Sequence, residues 1–140
     1  MQIADCKTGG VIEWHRPLGE NEMNANDMKR RTKSFALATV RFVETLPKTR
    51  TADVIGKQLL RCGTSVGANY RASCRAKSQA DFIAKMGIVE EEADESMYWM
   101  ELLVESGLVK KEEVASLSDE ANQIVAIVVS SIRTAKEHRR

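Results

Sequence analysis

The sequence predicts an all-α protein, an up-down-up-down four-helix bundle. Three observations predict it. The 140 residues contain only two prolines and eight glycines, with aromatics at 5%. Four stretches carry apolar residues at three- and four-residue spacing, the period of one buried helix face. The connections between them are short, so consecutive helices run antiparallel. A chain of this length forms one domain with a sizeable core. Hydrophobic residues at 43% and charged residues at 29% exclude a disordered chain.

Residues 1–25 show no sustained period. Gly9, Gly10, Pro17 and Gly19 punctuate them. They read as a flexible N-terminal extension, and Met23 is an alternative start. Trp14 and His15 in this stretch read as incidental. The bundle domain is assigned to residues 26–137, and residues 138–140 to a charged tail.

The first helix starts near Asn26 or Asp27, which suit an N-cap, and ends before Pro47. Phe35, Ala38, Phe42 and Leu46 face the core. Thr51 is the cap expected for the second helix. Its stripe runs through Val54 or Ile55, Leu59, Cys62 and Val66, then turns polar at Asn69 and Ser73. Gly63 and Gly67 each cost about 1 kcal/mol of helix propensity. Glycines inside a helix therefore point to another backbone approaching closely.

Ser78 with Asp81 has the form of a capping box for the third helix. Its stripe is Phe82, Met86, Val89, Ala93, Met97, Met100 and Val104, with Gly107 as C-cap. The fourth helix carries Val114, Leu117, Ala121, Ile124, Val128, Ile132 and Ala135. The run from Ile124 to Val129 is wider than one stripe. Such width indicates a second neighbour, for which another subunit is one candidate.

Charge is segregated although the net is only +1. Residues 23–80 hold 12 Lys and Arg against 3 Asp and Glu; residues 81–120 hold 3 against 12. Two readings stay open: basic and acidic helices face one another, or a basic surface meets nucleic acid. Candidate nucleic-acid contacts are Lys29, Arg30, Arg31 and Lys33 on the first helix. The end of the second helix adds Asn69, Tyr70, Arg71, Arg75 and Lys77, cations around an aromatic. The cations at the first helix N-terminus oppose its dipole, so propensity does not explain them. Solvated helix ends explain both clusters equally simply.

Glu92 and Glu95 share one face of the third helix. Antiparallel helices turning near residue 77 place Arg61 opposite residue 93, between these glutamates. The same register sets Ser65 near Val89. The expectation is a structural polar contact of Arg61, Ser65, Glu92 and Glu95, which fixes register more than it stabilises.

Catalysis finds little support in the residues. The only histidines, His15 and His138, lie outside the central helices. A di-iron bundle needs ExxH pairs, and nucleophilic catalysis needs a base near Cys62, Cys74 or Ser65. No phosphate loop of the GxxxxGK[ST] form is present. The expectation is a non-enzyme with no cofactor and no metal. Three cysteines without a CxxC read as free thiols of a reducing cytoplasm. No apolar run spans a membrane and no secretory signal is visible, so the chain is placed in the cytoplasm, without membrane partners.

The run SVGANYRASCRAKSQADFIAKMGIVEEEADESMYWMELL closely resembles bacterial four-helix bundle proteins related to those encoded by intervening sequences of 23S rRNA genes. Arg61, Ser65, Asn69, the Lys77-Ser78 step, Asp81, Phe82 and Glu95 fill that family's pattern. Asn69-Tyr70-Arg71-Ala72-Ser73 departs from its commoner Asn-Ile-Ala-Glu-Gly. The resemblance covers roughly residues 25–137. It implies a homopentamer, and kinship with the basic accessory variability protein of diversity-generating retroelements, which binds nucleic acid. The reading is a non-enzymatic oligomer binding RNA or DNA, or associated with ribosomal RNA, through helices one and two. A protein-interaction adaptor without a nucleic-acid role is the alternative.

Overall fold

The computed structural model describes residues 23–138. Four helices follow one another: α1 (Ala25–Glu44), α2 (Arg50–Ser73), α3 (Gln79–Glu105) and α4 (Lys111–Glu137). No strand occurs among the described residues. Each helix packs on its sequence neighbour, and α1 meets α4 along a thinner seam that closes the bundle. Residues 1–22 of the expected extension and the last two residues of the tail lie outside the described residues.

Capping chemistry explains the boundaries, and corrects two of them. α1 starts earlier than expected. Asn24, not Asn26 or Asp27, is the N-cap: its Oδ1 accepts from Asp27 N at 2.9 Å, and Asp27 Oδ2 accepts from Asn24 N at 3.4 Å. Asp27 is the returning carboxylate of the capping box rather than the cap. Ala25 is consequently buried inside the bundle, one residue before the assigned boundary. α2 is capped by Thr49, whose Oγ1 accepts from Ala52 N at 3.2 Å, and not by Thr51.

α3 begins where the capping box predicts: Ser78 Oγ accepts from Asp81 N at 3.0 Å. The returning Asp81 carboxylate takes the N–H of Lys77 instead of Ser78, also at 3.0 Å. α3 ends in a Schellman motif. Gly107 stands at φ +78°, its N–H donates to Val104 O, and Leu108 N–H donates to Leu103 O. Only glycine adopts that φ without strain.

The core is the expected set of stripes. Phe35, Leu59, Val66, Phe82, Met86, Val89, Met100, Ile124 and Val128 are buried. Val54, one of two alternatives for the α2 stripe, is exposed, and Ile55 packs against the core. Glycines set the α1–α2 distance. A Cβ on Gly67 would lie 3.3 Å from the backbone oxygen of Thr32. One on Gly63 would lie 2.7 Å from the Thr39 side chain. Thr32 and Thr39 are themselves buried; their hydroxyls donate to Met28 O and Phe35 O at 2.9 and 2.8 Å. The wide apolar run of α4 buries Ile124, Ile127 and Val128, leaving Val125 and Val129 partly exposed.

Candidate functional site

Two constellations stand out: a polar cluster between α2 and α3, and a basic pole built from four helix ends.

The antiparallel α2–α3 register brings Arg61 to Glu92 and Glu95. Nη1 lies 3.3 Å from Glu92 Oε2, and Nη2 lies 2.9 Å from Glu95 Oε1. Nη2 is also 3.2 Å from Cys62 Sγ, and Trp99 Nε1 donates to Glu95 Oε1 at 3.3 Å. Burial works to raise the Glu95 carboxyl. Hydrogen bonds from Arg61, Trp99 and Cys62 outweigh it and hold the group below the usual carboxylate range. Ser65 does not join this contact; its backbone carbonyl accepts from Asn69 Nδ2 within α2 at 2.9 Å.

The ligand atoms of Cys62, Glu92 and Glu95 lie within 4.8 Å of one another, the one such cluster among the described residues. The Arg61 guanidinium already supplies the positive charge there. Burial, with Glu95 adding to it, pushes the Cys62 thiol up to about 12. At neutral pH it is a protonated thiol, a poor nucleophile and a poor metal ligand.

The basic pole follows from topology. α1 and α3 begin, and α2 and α4 end, on the same side of the bundle. Gly67 near the end of α2 sits against Thr32 near the start of α1. Gln79 at the start of α3 donates its amide to the carbonyl of Ala135 near the end of α4. Lys33, Arg71, Arg75 and Lys77 are exposed there, and Lys29 is partly exposed. Arg30 is exposed and pairs with Asp27.

Two sequence candidates leave this surface. Arg31 turns to α4: its Nε lies 2.9 Å from Glu120 Oε2, and its Nη2 lies 2.6 Å from both Glu120 Oε1 and Gln123 Oε1. It is a tie across the α1–α4 seam, not a free cation. Tyr70 is 1% exposed, in the core beneath the arginines, and cannot stack a base. The apolar stripe of α2 continues through it, because 59, 62, 66 and 70 form one helical row. Asn69 is partly exposed with its amide engaged.

Three cations that sequence reasoning missed join the pole: Lys85 on α3, paired with Asp81 at 2.6 Å, and Arg133 and Lys136 on α4. The antiparallel helix order was the signal that could have found them. Among residues 25–34, 66–90 and 127–138, ten Lys and Arg face four Asp and Glu. The remaining lengths of α3 and α4 carry the acidic excess. Along α3, Glu91, Asp94, Tyr98, Glu101 and Glu105 form one exposed stripe, with Tyr98 51% exposed and edge-on to Trp99.

The family model for 23S rRNA-intervening sequence proteins matches residues 24–130, which include the Arg61 cluster and the basic pole apart from Arg133 and Lys136. The chain belongs to this family. A crystal structure of a family relative agrees: a protein of unknown function from the S23 ribosomal protein family of Bacteroides thetaiotaomicron VPI-5482. It is 36% identical, with a TM-score of 0.73, over 78% of this chain and 97% of that one. No curated protein matches the chain. The family match covers α1, α2 and α3 in full and α4 as far as residue 130, and the intervening-sequence bundle is the fold of this chain. Among the described residues no helix is long and apolar enough to cross a membrane.

Proposed function

We propose that this intervening-sequence protein is a non-enzymatic, self-associating bundle that binds RNA or DNA through its basic pole. One observation carries the reading: cations scattered over 108 positions, from Lys29 to Lys136, gather at one end through the helix order. Lys29, Arg30, Lys33, Arg71, Arg75 and Lys77 are the contacts. Long flexible cations clustered at a surface neutralise phosphates and release counterions. The resemblance to pentameric bundles supports self-association, which brings several poles onto one polyanion. A filter-binding titration with structured RNA at low and moderate salt tests the reading. Binding that weakens as salt rises supports it. Absence of binding, or binding indifferent to salt, removes it.

A second reading rests on the acidic stripe of α3 around Tyr98. An exposed aromatic among carboxylates suits a cationic protein segment, as an adaptor requires. A partner captured after nuclease treatment, and lost on Tyr98→Ala, favours it.

A further inference from the structure

The nucleic-acid reading leaves one feature unused. At the basic pole, α3 and α4 enclose an open groove of about 490 Å³, lined by Glu90, Val129, Ile132, Arg133, Lys136 and Glu137. Residues 129, 132, 133 and 136 lie on one helical face, so floor and lip belong to the same row of α4. The floor is the surplus apolar width of α4, left partly exposed after the core is filled. The lip carries two cations that form no ion pair among the described residues. The volume falls in the range of small-molecule sites, roughly 300–1,000 Å³.

We propose that this groove seats one unstacked nucleotide of a single-stranded RNA or DNA segment running over the basic pole. The proposal rests on the nucleic-acid reading above and deepens it. Arg133 and Lys136 hold the phosphate, and Val129 and Ile132 lie under the base. Glu90 on α3, a carboxylate with no ion-pair partner among the described residues, accepts from an exocyclic amine. Of the two pyrimidines, cytosine, which bears such an amine, is then preferred over uracil, which offers Glu90 an oxygen at that position instead. Continuity with the pole's other cations favours a nucleic-acid strand over a second copy of the chain. A duplex, whose bases are stacked, cannot enter.

The test uses the full chain and fluorescence anisotropy. The probes are a cytidine-rich single strand, a uridine-rich single strand and an RNA hairpin. Wild type should bind the cytidine-rich strand about fivefold more tightly than the uridine-rich one. Arg133→Gln with Lys136→Gln should weaken strand binding about tenfold and lower the salt slope by about 0.7, the share of one phosphate. Glu90→Gln should erase the base preference. Lys110→Gln with Lys111→Gln, an equal charge change at the opposite pole, should leave affinity within about twofold. Wild-type binding that survives the Arg133 and Lys136 replacements, or shows no base preference, overturns the groove and spares the pole. No binding of any probe by wild type overturns both. A fall in solution mass on replacing Arg133 and Lys136 assigns the groove to a second copy and overturns the proposal.

Discussion

Nη2 of Arg61 on α2 donates to Glu95 Oε1 on α3 at 2.9 Å, while Nη1 reaches Glu92. This contact pins the register of the two helices that share the largest interface. The guanidinium is half-exposed, so its Coulombic worth is screened. Its consequence appears when it is removed, because the two carboxylates and the Cys62 thiol are left facing one another. Arg61→Ala should therefore lower Tm more than Arg61→Leu combined with Glu92→Leu and Glu95→Leu. Thermal melts of both variants check this; a single mutant that melts with wild type removes the register role.

Acid should act through the same cluster. A carboxyl depressed in the fold contributes stability above its unfolded value and loses it as pH falls through the folded one. Glu95 is held below its usual 4.5 and Asp81, chiefly by Lys85 and then by the Lys77 N–H, below its usual 3.8. Stability should be level above about pH 5 and decline progressively from about pH 4.5 downward, past both depressed values. Glu95→Gln should lower Tm at neutral pH and flatten the acid limb. Parallel acid limbs for variant and wild type would count against the assignment.

Two glycines inside helices should respond to alanine with opposite signs. Gly87 has open space where a Cβ would stand. Gly87→Ala should stabilise by about 0.5–1 kcal/mol through helix propensity and chain entropy. At Gly63 the new methyl meets Thr39 at 2.7 Å, and Gly63→Ala should cost about 1–3 kcal/mol despite the same propensity gain. Adding Thr39→Ala should recover part of that loss. Urea denaturation of the set measures each value.

Stability and RNA binding should separate at the misassigned candidates. Tyr70→Ala should destabilise by about 3–5 kcal/mol, as aromatic truncation in a core does. Tyr70→Phe should leave RNA affinity unchanged. Arg31→Gln should cost about 1 kcal/mol by opening the α1–α4 tie, without altering the salt slope. Lys29→Gln with Lys33→Gln should reduce that slope with little change in Tm. The converse pattern would return Arg31 and Tyr70 to the binding surface.

Periodicity was enough for the helices. Their stripes, Phe82 to Met100 among them, recur at helical spacing, and a helix buries whichever face is apolar. Register between α2 and α3 was also legible. Their turn is short, so positions counted outward from residue 77 must meet, and Arg61 falls between Glu92 and Glu95. Helix starts were less so, because Asn24, Asn26 and Asp27 are all chemically able to cap. Backbone direction alone decides which one turns its side chain to the first free N–H groups.

The division of the cations into free and engaged lay beyond reading the chain in order. Arg31 and Lys33 look alike in sequence, yet one meets Glu120, 89 positions away, and the other meets solvent. Tyr70, in a basic run, is drawn inward by a helical row that starts three turns earlier. Arg133 and Lys136 join Arg71 and Arg75 only because four helix ends meet at one pole. A helix face is a local property, fixed by spacing along the chain. Which faces and ends meet depends on packing among distant segments, and that decided the site.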